Sequence, residues 1–276
     1  MYKARIETEA GKIVRLDYDS GVIFDIDPLS GVDVDLATSQ GFQQIGETVE
    51  HQSVAGVSRT INGVFITADA ERRAQAMLRA LPMFTTGRLI YDDRYFCNIH
   101  VRKTPYIRRE KSGRIIFSMM LYCETPYWLY LTDSSYVMGG YTPAFRLPVV
   151  YDSHRYGIKN TSMFTNCINH GTVEVPFAAR FTCDTPVTNP GLINVYTLEK
   201  IRINAVLQNG SVIEAGWKNG RLYLTQDGED IFSALDAESD LFVMRPGDNV
   251  LRMTADDNLE GLSVSVTYNA VEVGVI

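Results

Sequence analysis

Along most of this chain apolar and polar residues alternate with period two, in short runs that end at turn residues. Between residues 201 and 253 the runs 201–207, 212–215, 221–224 and 249–253 are separated by Gln208-Asn209-Gly210, Lys218-Asn219-Gly220, Gln226-Asp227-Gly228 and Pro246-Gly247-Asp248. Asn-Gly and Asp-Gly pairs tolerate the positive φ of tight turns, so this pattern predicts successive hairpins. A string of such hairpins predicts an antiparallel sandwich. A module of that kind rarely holds chemistry of its own, which directs attention to surfaces and assembly.

The first half also predicts strands, at 13–17, 22–26 and 32–36, punctuated by Ser20-Gly21 and Pro28-Leu29-Ser30-Gly31. Residues 41–58 are polar, glycine-containing and poorly periodic, and read as a long loop or arm. Strand character returns at 59–66. One helix is predicted over 68–81, rich in good helix formers, with Ala70, Ala74, Met77, Leu78 and Leu81 on one stripe. Thr67 or Asp69 can cap its start and Pro82 ends it. Residues 89–91 and 95–103 bracket Asp92-Asp93-Arg94 as a hairpin, and 115–124 is a strongly apolar strand. The stretch 125–148 holds Pro126, Pro143, Pro148, Gly139-Gly140 and the aromatics Tyr127, Trp128, Tyr130, Tyr136 and Tyr141, and reads as a connector. The domain boundary is placed near Ser135. This gives a first domain over 1–135, then a linker and second domain over 136–276 whose sandwich starts near Tyr151 and contains no helix.

The chain has 276 residues, 45% of them hydrophobic and 21% charged, a balance that permits a buried core. No run approaches the roughly 18 apolar residues of a membrane-spanning helix, so no membrane insertion is expected. The first residues lack the apolar centre of a secretory signal, which points to synthesis in a cytoplasm. Cys97, Cys123, Cys167 and Cys183 form no close pair in sequence. Cys167 and His170 have Cys-x-x-His spacing, but no second half-site follows, so free thiols are expected in place of a metal site.

Phosphate-loop, nucleophile-elbow and His-Glu-x-x-His motifs are all lacking. Asp92-Asp93 and Asp256-Asp257 could pose as paired carboxylates of a glycoside hydrolase, yet both sit where turn chemistry calls for Asp. No enzyme activity and no cofactor are expected. Trp217, Tyr223, Phe232 and Phe242 could form a sugar-stacking platform, though packing in the core or at its rim is the stronger reading. Charge is unevenly spread within a net of -7. Residues 16–58 hold eight acids and no Lys or Arg, while 59–114 hold twelve Lys or Arg against five acids. Such adjoining blocks invite pairing within a subunit or between neighbours, or they form two solvated faces.

Several segments resemble the distal tail protein family of siphophage-type tails and related tail-like particles. In the first domain they are Ile45-Gly46-Glu47-Thr48-Val49, Arg59-Thr60-Ile61-Asn62-Gly63, the helix at Arg72 and Arg73, Thr86-Gly87-Arg88-Leu89-Ile90, and Leu121-Tyr122-Cys123-Glu124-Thr125-Pro126-Tyr127. In the second they are Asn169-His170-Gly171-Thr172-Val173-Glu174-Val175-Pro176, Trp217-Lys218-Asn219-Gly220-Arg221 and Phe242-Val243-Met244-Arg245-Pro246-Gly247-Asp248-Asn249. Each motif is mainly turn chemistry, and their order over two domains carries the resemblance.

The resemblance implies a mainly β protein, with an N-terminal ring-forming β domain bearing one helix and a galectin-like C-terminal β-sandwich. It implies a homohexameric ring at the tail tip of a virion, made in a bacterial host's cytoplasm. That ring would join the tail tube protein to the tail-tip or tail-associated lysin protein, with receptor-binding proteins around it and DNA only passing through its pore. The interval 151–276 leaves no room for an inserted carbohydrate module, which favours an architectural role. The alternative is a carbohydrate-binding adhesin of β-sandwich domains. A ring interface is heterologous, and a DNA pore is best without cationic walls. Candidate interface or pore-lining residues are therefore Asp17, Asp19, Asp25, Asp27, Asp33, Asp35, Arg59, Arg88, Arg102 and Arg108.

Overall fold

The computed structural model describes residues 2–143, 157–160, 162–218, 221–240 and 242–275. The chain divides into two units, Met1–Thr132 with Val271–Ile276, and Asp133–Ala270. Both are mainly β.

The first unit contains β1 (Ala4–Thr8), β2 (Ile13–Leu16), β3 (Val22–Asp27), β4 (Val34–Ser39), β5 (Thr48–Val54) and β6 (Val57–Phe65). After α1 (Ala70–Ala80) come β7 (Thr86–Tyr91), β8 (Tyr95–Arg109), β9 (Ile115–Cys123) and β10 (Trp128–Tyr130). The main sheet runs β2-β1-β7-β8-β9-β6-β3. In β9 every second residue from Ile115 to Cys123 is buried, the period-two pattern at full length. Phe117 from that face lies over Gly63, where a Cβ would come within 2.5 Å of the ring and 2.8 Å of the Ile23 carbonyl. Asp92 and Asp93 have φ of 50° and 52°, and Arg94 N–H donates to the Tyr91 carbonyl. That is a type I′ turn, and it explains both acids without catalysis. β8 extends beyond the expected 103, and Pro105 falls where its pairing with β9 shifts register. A residue without an N–H is tolerated at such a break.

α1 buries Ala74 and Met77, and Leu81 just beyond it is fully covered. Leu78, expected on the same stripe, is exposed. Asp69 occupies the N-cap position without capping: its carboxylate takes Arg72 and Arg73 at 2.7 and 2.9 Å. Those two guanidinium groups, Arg72 first, hold it well below the ordinary carboxylate range.

Within the stretch read as a connector, the described residues up to 143 form strands. Trp128–Tyr130 pairs with β8 and with Val271–Glu272, and Ser134–Gly139 pairs with Leu262–Tyr268. Fully buried Trp128 donates from Nε1 to the Leu29 carbonyl at 2.9 Å, and Tyr130 donates to Glu272 at 2.9 Å. The residues after 270 thus return to the first unit, where a division at 135/136 would leave them with the second. The reason is local: Val271 and Glu272 add a strand to Trp128–Tyr130, and Val275 is buried against the Leu29 loop.

In the second unit a six-stranded sheet runs Ser134–Gly139, Leu262–Tyr268, Ala178–Cys183, Val212–Lys218, Arg221–Gln226, Glu229–Asp230. A four-stranded sheet runs Phe164–Asn169, Gly247–Thr254, Gly191–Asn194, Lys200–Arg202. Ala179, Phe181, Ile213, Val264 and Val266 of the first sheet and Leu192, Leu251 and Met253 of the second are buried, as a sandwich core requires. Among the described residues its helical content is two short 3₁₀ turns, Phe232–Ala234 and Leu259–Gly261. Asp227 and Gly228 take φ of 52° and 88°, as expected of that turn pair. The expected starting point near Tyr151 and the turn residues Asn219 and Gly220 lie outside the described residues.

Two buried asparagines account for two of the motifs of this unit. Asn249 donates to the carbonyls of Cys167, Arg245 and Gly247 and accepts from Arg245 N–H. Asn169 donates to the Val173 and Met244 carbonyls and accepts from Gly171 N–H. Each is 2% exposed and ties a turn to a neighbouring strand. A buried amide so used costs little, because its polar atoms are satisfied.

Candidate assembly surface

β4 and β5 form a two-stranded sheet of their own, and every residue in both strands is exposed. A ribbon of two strands, open on both faces, is marginal in water by itself. This one carries Val34, Leu36, Val49 and Val54 uncovered, and beyond the strands Phe42 and Ile45 are 96% and 102% exposed. Its pairing slips by a bulge between Ala37 and Thr38, which breaks the alternation that marks a strand in sequence. The arm expected over 41–58 is thus a hairpin over 34–54.

The candidate acids are dispersed. Asp33 and Asp35 are exposed, Asp35 on β4 and Asp33 just before it. Asp25 and Asp27 are exposed on β3, the edge strand of the main sheet. Asp19 is exposed in the turn between β2 and β3. Asp17 accepts from Ser20 N–H, so its carboxylate fixes that turn.

Of the candidate bases, Arg88 is exposed on β7, with its guanidinium 5.0 Å from the Phe96 ring centre. Arg102 donates to the Ser58 hydroxyl at 2.6 Å and Arg108 lies 4.0 Å from Glu110. Arg109 pairs with Glu71 of α1. A concavity of about 970 Å³ lies beside these strands, with Arg72, Arg109 and Arg114 on its walls beside apolar Val64 and Ile115.

Arg59 needs correction as an interface or pore residue. It is 2% exposed, donates to the Pro28 carbonyl and, at 2.8 Å, to the Pro126 carbonyl, and stacks 4.3 Å from the Trp128 ring centre. A buried cation must be satisfied where it stands, and this one joins two loops inside the first unit.

The aromatic platform does not assemble. Phe242 is buried against Phe177 at 5.0 Å. Trp217 pairs across the strands with Leu222 and Tyr223 with Gly216, so Trp217 and Tyr223 point to opposite faces. Asp256 is held by Arg202 and Asn189 at 2.7 and 2.8 Å, and Asp257 accepts from Asn258 N–H. No group of three or more metal-ligating side chains occurs among the described residues.

The two-unit β architecture has counterparts among solved structures. The SPP1 Dit protein, described as a paradigm of the hub adsorption apparatus in phages infecting Gram-positive bacteria, superposes with a TM-score of 0.68. The match covers 98% of this chain and 99% of that one at 12% identity. The phage P2 baseplate in its activated conformation with Ca gives a TM-score of 0.51 at 12% identity over 100% of both chains. Residues 170–271 match the family of siphovirus-type tail component, C-terminal domain. A comparison with curated proteins found no match. The whole chain is thus similar in fold to the SPP1 Dit protein, and residues 170–271 are similar in sequence to the C-terminal domain of siphovirus-type tail components.

Proposed function

We propose that this chain is the hub subunit of a phage tail tip, a homohexameric ring that joins the tail tube to the tail-tip or tail-associated lysin protein. The β4–β5 hairpin carries this reading. An exposed ribbon with apolar side chains at its tip is stable once something covers it, and a neighbouring copy offers the matching chemistry. The arm region has Asp33, Asp35, Glu47 and Glu50 and no Lys or Arg. The concavity beside α1 presents Arg72, Arg109 and Arg114 above apolar walls. Asp69 and Glu71 on the same walls already pair with Arg72 and Arg109, so a neighbour's acidic arm would meet chiefly Arg114 and the apolar walls there, in a head-to-tail contact that closes into a ring. Receptor-binding proteins would attach around that ring. Exposed acids such as Asp25 and Asp27 suit a pore that DNA traverses, since cationic walls would hold its phosphates.

The test is the mass of the protein in solution, which should approach six subunits at low salt and fall as salt rises, because screening acts over about 8 Å near physiological ionic strength. Replacing Asp33 and Asp35 with Lys should leave the protein folded but unable to form rings. Rings that form normally in this variant while genome delivery falls would assign those acids to the pore. A stable two-fold dimer through the first unit would sink the hub reading.

The two units should also fold separately. A fragment of residues 133–270 should keep β-type circular dichroism and melt cooperatively, as a domain with its own core does. An unfolded fragment would show that the second unit depends on the first.

A further inference from the structure

Cys97 on β8 and Cys123 on β9 are free thiols, and their sulfurs lie 3.3 Å apart. In the β8–β9 register Cys123 stands opposite Ile99, so Cys97 is the next residue on the same inward face. Both are 0% exposed. Two sulfurs already in contact need to close by only about 1.2 Å to reach the ~2.05 Å of a disulfide.

The surroundings differ from those of an inert buried thiol. Arg59 gives its two terminal nitrogens to carbonyl groups, and its Nε has no N or O partner. Its charge acts on both sulfurs. The hydrogen bond to Cys97 lowers the Cys123 thiol below its ordinary value, and Arg59 and His100 act in the same direction against burial. The same bond, then burial, pushes Cys97 up. Of two sulfurs in contact beside a cation, Cys123 is thus the more acidic and Cys97 the one that can follow it. The other cysteines lack this setting: burial pushes Cys167 up to about 12, and burial, then Asp184, raises Cys183.

We propose that Cys97 and Cys123 are a redox-active dithiol that closes to a disulfide when the protein meets a peroxide. The Cys123 thiolate attacks one oxygen of hydrogen peroxide, the O–O bond breaks, and the released hydroxide takes up a proton to leave as water. The sulfenic acid formed is attacked by the Cys97 sulfur. The S–O bond breaks, the S–S bond forms, and hydroxide departs with the Cys97 proton as a second water. Two electrons pass from the sulfurs to the peroxide, and one peroxide yields two waters. The new bond spans 26 residues of chain and staples β8 to β9 in the middle of the sheet. Shortening the unfolded chain in this way makes the oxidised form the more stable one.

The experiment treats the full-length protein, first reduced, with hydrogen peroxide, and then alkylates free thiols after denaturation. Before alkylation, intact mass should fall by about 2 Da, as loss of two hydrogens requires. Peptide mapping should show one link, Cys97 to Cys123, with Cys167 and Cys183 alkylated. The melting temperature of the first unit should rise by several degrees and return on adding dithiothreitol. A C97S variant should hold Cys123 as a sulfenic acid that dimedone traps. A C167S/C183S variant should keep both the link and the shift in melting temperature. Four alkylated thiols after treatment, a link through Cys167 or Cys183, or oxygen added at Cys123 of the wild-type protein would each overturn the proposal. The wild-type map decides the matter even where C97S fails to fold.

Discussion

Replacing Phe42 and Ile45 together with Ser should abolish ring formation while leaving the subunit folded. Both side chains are almost wholly in solvent, so the subunit's own core loses nothing. If a neighbour covers them, the two together contribute about 3–6 kcal/mol to the contact. That corresponds to roughly a hundredfold to ten-thousandfold weaker association at each interface. Sedimentation should then show a single subunit at concentrations where the unaltered protein is assembled, with circular dichroism and melting temperature unchanged. Unaltered assembly would place the contact elsewhere and leave the hairpin without a role in the ring.

Replacing Arg59 with Met should destabilise the first unit and spare the second. The substitution keeps an unbranched apolar stem but removes the charged guanidinium, leaving the Pro28 and Pro126 carbonyls without their donor. Hydrogen bonds to a charged group contribute about 1.5–3 kcal/mol each, and the stacking on Trp128 is lost as well, so a cost of about 3–5 kcal/mol is expected. Arg59→Lys should recover only part of this, because one ammonium does not reproduce a planar fork that reaches two carbonyls and lies flat on a ring. In urea the unfolding transition should split, with the first unit melting earlier and the second where it was. A single transition shifted as a whole would mean that the units unfold together. An unchanged midpoint would mean that water replaces the guanidinium at no cost.

Arg59 also shows where sequence reasoning stops. It shares parity with Ile61 and Phe65, which face the core, so alternation alone assigns it inward. Grouping it with the charge block overrode that signal, because a lone sequence does not announce two carbonyls and an indole waiting inside. β9 and the Asp92-Asp93 turn were legible because each is fixed by local rules, side-chain alternation and positive φ. The β4–β5 hairpin was only half legible. A ribbon wetted on both faces has no reason to alternate, and its bulge removes what periodicity remains. Leu78 followed the helical stripe and still faces solvent, because helical spacing alone does not say how far around the helix its cover extends. The partnership of Val271–Glu272 with Trp128–Tyr130 spans more than half the chain, and no local pattern encodes a pairing at that distance.

That return of the last strand makes the second unit an insertion within the first. The chain leaves at Asp133 and comes back at Ala270, and the two crossings run side by side: Ser134 pairs with Tyr268, and Asn269 donates to Asp133 at 2.8 Å. Insertions succeed where the two ends of the inserted part are close, because the host chain then closes its own sheet whatever lies between. A graft of a different or larger module between residues 133 and 270 leaves every strand of the host sheet in place. The second unit could therefore be exchanged for another without redesigning the first.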